Sequence, residues 1–215
     1  MAGHTKRRPA RRICLLSEDE LGLILNRLSD PEDRKSFSLV GKQWMRVEGA
    51  TRLSIRLLRP EILRHVLPRF PNLVTFEMSK PIRNSDLAFL GHACPKIEVI
   101  NLNLLKQTPD LRGFGSKGLY YLGNGCPNLS KLSLRRRLGV TSDGVGWLLK
   151  AAINLRYLDL GECIFVTDKV LEAIGSWSSL TYLNLEGCTK ITNRGLGFLA
   201  NGSCSKTLKT LVLSR

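Results

Sequence analysis

Apolar residues change their spacing along the chain, and the change marks out the elements. Leu21, Ile24, Leu25 and Leu28 fall at i, i+3, i+4 and i+7, one apolar stripe of a short amphipathic helix. Ser17-Glu18-Asp19-Glu20 stands just ahead of the stripe and reads as a capping box, with three acids in the first turn favouring the positive end of the helix dipole. Asp30-Pro31 then restarts the chain, Asp as N-cap and Pro at the first helical position. A second short helix would carry Phe37, Leu39 and Val40, and a third would run through Trp44 and Val47. Three such helices bury too little surface to make a strong core alone, so their leftover apolar side chains point to a partner.

Residues 51–70 read as a helical linker. Pro60 opens a helix carrying Ile62, Leu63, Val66 and Leu67, and Pro68 ends it. From Leu73 onward the spacing becomes Leu-x-x-Leu-x-Leu, in the triplets Leu73/Phe76/Met78, Ile97/Ile100/Leu102, Leu129/Leu132/Leu134, Leu155/Leu158/Leu160, Leu180/Leu183/Leu185 and Leu208/Leu211/Leu213. The triplets step by 24, 32, 26, 25 and 28 residues, so the long step places an insertion around 106–115. The copies at 154–177 and 179–201 match best, each ending in a helical pattern such as Val170, Leu171, Ile174 or Leu196, Phe198, Leu199. A fixed period in the twenties predicts a solenoid in which each triplet is a short parallel strand and neighbours share one core.

Side chains alternate along a strand, so each strand's outward residues can be named. They are Thr75, Glu77, Ser79; Val99, Asn101, Asn103; Lys131, Ser133, Arg135; Tyr157, Asp159, Gly161; and Tyr182, Asn184, Glu186. Tyr157 and Tyr182 occupy equivalent positions in adjacent repeats and are expected to stack. Lys131 and Arg135, with Arg136 and Arg137 on the loop edge, read as a basic patch beside them. Two readings stay open there: a groove gripping an acidic or phosphorylated segment, or a solvated sheet face.

The net charge is +15, to which Lys6, Arg7, Arg8, Arg11 and Arg12 contribute in a tail at 1–13. That tail reads either as a nuclear import signal or as a solvated, disordered segment. No apolar run approaches the length of a membrane span, and 13–16 is too short for a signal segment, so an intracellular, reduced protein is expected. The six cysteines include no Cys-x-x-Cys pair; Cys163 and Cys188 repeat in register, Cys94 and Cys126 each precede a proline, and all read as buried packing residues. His4, His65 and His92 share no motif, and there is no phosphate-binding loop or zinc-ligand spacing. The pattern implies neither an enzyme nor a cofactor or metal.

The repeats, with Cys163 and Cys188 three residues after the last leucine, resemble the cysteine-containing leucine-rich repeats common in plant F-box proteins. Residues 14–50 resemble an F-box: Leu16-x4-Leu21-x2-Ile24-Leu25-x2-Leu28, then AspProGluAspArg, then Leu39-Val40-x3-Trp44. Ser17 stands where that family usually has Pro, and Gly41 where it often has Cys, which implies a weakened adaptor contact. The resemblance implies an α/β fold, a right-handed leucine-rich-repeat solenoid over 71–215 (five repeats plus an incomplete sixth) preceded by a three-helix F-box. It further implies the substrate receptor of an SCF-type cullin-RING ubiquitin ligase in the nucleus and/or cytoplasm. Leu16, Leu21, Ile24, Leu25, Leu28, Val40 and Trp44 would bind the Skp adaptor, and through it cullin and RING subunits. Lys131, Arg135, Tyr157, Asp159, Tyr182, Asn184 and Glu186 on the concave face would bind a target protein. A scaffold unconnected with ubiquitin, binding an acidic protein or RNA, is the alternative. The sequence stops two residues after Leu213, which reads as a truncated form or as an end covered by a partner.

Overall fold

The computed structural model describes residues 16–106 and 113–214; the basic tail at 1–13, and most of the insertion expected at 106–115, lie outside the described residues. The chain divides between Thr51 and Arg52 into two units. In the first, Ser17 caps α1 (Glu18–Leu25): its side chain accepts from the Glu20 N–H at 3.2 Å, and the Glu20 carboxylate accepts from the Ser17 N–H at 2.8 Å. Hydrogen bonds to that carboxylate from the Ser17 N–H and the Ser17 hydroxyl hold Glu20 below its ordinary range. Asp30 opens α2 (Pro31–Leu39) by accepting from the Glu32 N–H at 2.7 Å, and α3 (Lys42–Thr51) follows. Leu21, Leu25, Phe37, Trp44 and Val47 form the core, with the Phe37 and Trp44 rings 4.4 Å apart. Arg34 ties the helices by donating to the Leu25 carbonyl and the Thr51 hydroxyl.

The second unit alternates strand and helix. β1 (Ser54–Leu57) leads through a turn at Pro60–Ile62 to α4 (Leu63–Val66) and a turn at Leu67–Arg69. Then come β2 (Thr75–Met78), α5 (Asn84–Ala93), β3 (Val99–Asn101), α6 (Ser116–Gly125), β4 (Lys131–Ser133) and α7 (Ser142–Ala151). The last part is β5 (Tyr157–Asp159), α8 (Asp168–Gly175), β6 (Tyr182–Asn184), α9 (Asn193–Asn201), a turn at Ser203–Lys206, and β7 (Thr210–Val212). All neighbouring strands pair in parallel, in the order of the sequence. Ile55, Phe76, Ile100, Leu132, Leu158, Leu183 and Leu211 lie side by side, so the middle residue of every triplet is in register. This is the leucine-rich-repeat solenoid that the spacing predicts.

One expectation is corrected. Residues 51–70 are more than a helical linker, because Ser54–Leu57 supplies a strand that pairs with β2. Its alternation is hidden by the adjacent Leu57-Leu58 and by arginines on either side, so the triplet pattern does not reach it. The helix expected after Pro60 is present but short, broken into 3-10 turns on either side of Leu63–Val66.

Two polar seams join the repeats. At the helix starts, the first residue of one helix bonds the N-cap of the next: Asn84 to the Gly115 N–H at 2.9 Å, Ser116 to Thr141 at 2.8 Å, Ser142 to Thr167 at 3.0 Å, and Asp168 to the Thr192 hydroxyl at 2.6 Å. After the strands, the Cys163 thiol donates to the Leu134 carbonyl at 3.2 Å and the Cys188 thiol to the Leu160 carbonyl at 3.1 Å. Burial pushes the Cys188 thiol up to about 11 and raises Cys163 further, so both remain neutral donors. Arg137 occupies the same repeat position, and its guanidinium donates to Leu102 in the same way. It also reaches the Lys80 carbonyl at 3.0 Å and the Met78 carbonyl at 3.3 Å, and lies over the Phe114 ring. Arg137 is 3% exposed, so it is no part of a surface basic patch, which corrects the expectation from sequence. Burial pulls its guanidinium down to about 10, still charged at neutral pH.

Truncation of Arg137 would take the guanidinium donor from three carbonyls and leave a void beside Phe114. Arg137→Ala is expected to destabilise the protein by about 3 kcal/mol or more in urea denaturation. Arg137→Cys, which can keep one of the bonds, is expected to lose less.

Candidate functional site

The solvent face of β4–β6 gathers most of the residues the alternation marks as outward. Parallel register sets Lys131, Tyr157 and Tyr182 in one row, and Ser133, Asp159 and Asn184 in the next. The two tyrosine rings stack 4.1 Å apart and within 6° of parallel, as their equivalent positions predict. The Lys131 ammonium lies 4.3 Å from the centroid of Tyr157, on the side away from Tyr182. Burial and contact with Tyr182 and Asp159 push the Tyr157 hydroxyl well above its ordinary range, so the ring is neutral.

The second row is less available than the alternation suggests. Ser133, Asp159 and Asn184 are all buried, although they point away from the leucine core. Asp159 accepts from the Gly161 N–H and Asn184 from the Glu186 N–H, both at 2.9 Å, which turns the chain out of each strand. Asp159 and Asn184 therefore shape the face more than they line it.

Beyond that row, the charges are paired. Arg135 donates to Glu162 at 2.7 and 3.0 Å and to Glu186 at 2.7 Å, while Arg136 donates to both Glu162 oxygens at 2.9 Å. Arg135 crosses above Gly161 to do so: a Cβ there would stand 3.3 Å from the guanidinium and 3.1 Å from the Asp159 carboxylate. The turn itself is unusual, because Arg136 and Glu162 hold positive φ angles of 65° and 58° at equivalent repeat positions, where Gly187 holds 66°. Left-handed backbone in residues other than glycine carries strain, here set against five charge-assisted hydrogen bonds. The free cationic patch expected at Lys131, Arg135, Arg136 and Arg137 is thus corrected: Arg137 is buried, two arginines face two glutamates, and Lys131 stands apart on the tyrosines. Glu162 is the residue the sequence reasoning missed, since the second position after a strand's last leucine falls back on the inward phase of a period-2 pattern.

In the helical unit, the residues assigned to an adaptor separate into two sets. Leu21, Leu25 and Trp44 lie within the unit's own core, Leu16 and Leu28 are half-buried at its border, and Ile24 and Val40 are exposed. Leu23, Leu39 and Met45 are exposed as well, and the helical stripe alone did not single them out as contacts. Leu39 is the most exposed of them, at 77%. Among the described residues no cluster of three or more His, Cys, Asp or Glu could hold a metal ion, and no helix is long and apolar enough to cross a membrane.

The ion-paired cluster has a pH signature. Hydrogen bonds from Arg136 and Arg135 hold the Glu162 carboxyl below its ordinary range, and Arg135 does the same for Glu186. A carboxyl lowered in the folded state stabilises above its unfolded value, and that stability is lost as pH falls toward the folded one. The urea midpoint is therefore expected to fall below about pH 5. Glu162→Gln should be less stable than the unsubstituted protein at pH 7, and the gap between them should close toward pH 3.

No family model matches the chain. It is 29% identical over 182 residues to Coronatine-insensitive protein homolog 1b of Oryza sativa subsp. japonica, a match covering 83% of this chain and 28% of that protein. It is 25% identical over 171 residues to F-box/LRR-repeat protein 12 of Arabidopsis thaliana, covering 70% of this chain and 42% of that one. The chain thus spans less than half the length of either relative. Among solved structures, the TLR13–ssRNA13 complex matches 78% of this chain and 23% of that one at 15% identity, with a TM-score of 0.48. So loose a likeness adds nothing to the fold, which rests on the repeats themselves. Both curated relatives to which the chain is similar are plant proteins, and one of them is named an F-box/LRR-repeat protein.

Proposed function

We propose that the chain is a substrate-recognition subunit of an SCF-type cullin-RING ubiquitin ligase. Helices α1–α3 dock a Skp adaptor and through it the cullin and RING subunits, while the solvent face of β4–β6 holds a target protein. One observation carries the adaptor half of this reading. The helical unit already has a filled core, yet Leu23, Ile24, Leu39, Val40 and Met45 remain exposed on it. Large apolar side chains left out by a completed core support a protein partner. The sequence likeness to an F-box/LRR-repeat protein points to the same class.

Within this reading the seven residues first assigned to the adaptor divide their work. Ile24 and Val40 touch it, joined by Leu23, Leu39 and Met45. Leu21, Leu25 and Trp44 hold the three helices in the arrangement that presents them, and Leu16 and Leu28 border the contact. Ser17, in place of the proline usual in that family, still ends the incoming chain and starts the helix through its capping box. The chain supplies proximity and orientation, not chemistry. A scaffold binding acidic protein or RNA through the patch at 131–137 draws no support from this face, where Arg135 and Arg136 are neutralised by Glu162 and Glu186.

Ile24→Asp and Leu39→Asp place a charge where an apolar contact is proposed, without entering the core. Each is expected to weaken pull-down of a purified Skp adaptor by more than about tenfold while leaving the circular dichroism of the protein unchanged. Adaptor binding at full strength by both variants would sink the reading.

A further inference from the structure

The row of residues on the sheet face builds a column of stacked groups. Lys131 covers one face of Tyr157 at 4.3 Å, and Tyr182 covers the other at 4.1 Å. Among the described residues, Tyr157 is the ring partner of Tyr182, and it takes one face only. The other face of Tyr182 looks toward β7, where the residue in register is Thr210, small and exposed. Neighbouring strands stand about 4.8 Å apart, and the existing tyrosines use that spacing to stack. A planar group standing above Thr210 would therefore meet Tyr182 as Tyr182 meets Tyr157. The repeat supplies the strand for a third ring and withholds the ring.

We infer that the slot between Tyr182 and Thr210 receives an aromatic side chain from the bound target. The inference deepens the reading of the sheet face as a target-binding surface and rests on that half of it, not on adaptor docking. Charge decides the class of occupant. The acidic groups on the face are Asp159, buried and accepting from the Gly161 N–H, and Glu162 and Glu186, already held by Arg135 and Arg136, so a cationic side chain finds no free, exposed counter-charge. An anionic one finds the electron-rich face of a phenol ring, with Lys131 engaged two positions away on Tyr157. A neutral ring loses little water and gains an offset stack, in a column already polarised by an ammonium at its far end. Asn184 and Val212, the next pair in register, form the floor along which such a side chain enters.

The test uses N-acetyl-L-tryptophanamide as probe, titrated into the full chain and followed by NMR at the Thr210, Leu211 and Val212 amides. Saturable upfield shifts are expected, with a dissociation constant on the order of millimolar, as suits a single side chain. N-acetyl-L-leucinamide and N-acetyl-L-argininamide should bind at least tenfold more weakly. Thr210→Tyr fills the slot with the chain's own ring at an exposed position, and Tyr182→Leu keeps bulk without the planar face; both are expected to abolish the shifts. Absence of saturable shifts in the unsubstituted protein would overturn the inference. So would equal binding of the leucine or arginine probe, or undiminished binding by Thr210→Tyr. The adaptor pull-down reads the helical unit, so its outcome is independent of this titration.

Discussion

Everything in the repeat unit depends on one constraint: no repeat can bury its own leucines. The middle residue of each triplet is buried only because another stands on either side of it. Phe76, Ile100, Leu132, Leu158 and Leu183 are all shielded completely, whereas Leu211, with a neighbour on one side alone, is 38% exposed. The same dependence fixes the register, because a slip of one residue would turn every leucine to solvent. Once the register is fixed, the solvent face is fixed with it. The tyrosine column and the arginine–glutamate cluster are therefore by-products of core packing, placed side by side by stacking and not by local contacts. Function on such a face is selected at positions that the core has already aligned.

Much of this is written in the chain, and the reasons for the exceptions are physical. Leucine triplets announce strands because burial on one face demands period 2, and the pairing of Tyr157 with Tyr182 follows from the period of 25 alone. Ser17 and Asp30 likewise announce helix starts, since capping is local chemistry. Charge pairing is different. Whether Arg135 is a free cation depends on Glu162 and Glu186, which lie 27 and 51 residues away. Arg137 shows the same limit more sharply: from sequence it continues a run of arginines, while its repeat position is that of a buried cysteine. Reading the run by composition gives a basic patch, and reading it by period gives a core residue. Period is the better guide where packing sets position.

The helical unit illustrates a related ambiguity. Its stripe of Leu21, Ile24, Leu25 and Leu28 follows the helical period, but period alone does not say which side of the stripe meets the unit's own core and which a partner. Burial separates them, with Leu21 and Leu25 inside and Ile24 outside. Strain adds a second kind of information that composition lacks. Left-handed backbone at Arg136 and Glu162 marks a turn whose side-chain bonding outweighs its backbone preference, and it falls at the edge of the face read here as the binding surface.

Solenoids of this kind are usually treated as one-dimensional chains in which each repeat couples to its immediate neighbours. The thiol seam obeys that rule, since Cys163 and Cys188 each reach back by one repeat. Arg137 does not, because its side chain grips the carbonyl of Leu102 one repeat back and those of Met78 and Lys80 two repeats back. A single cation thereby adds a next-nearest-neighbour coupling across the long insertion, where the ordinary period is interrupted. Arg135 extends the same reach forward, from the repeat of β4 to that of β6 through Glu186, so the repeats from β2 to β6 should open as one cooperative block.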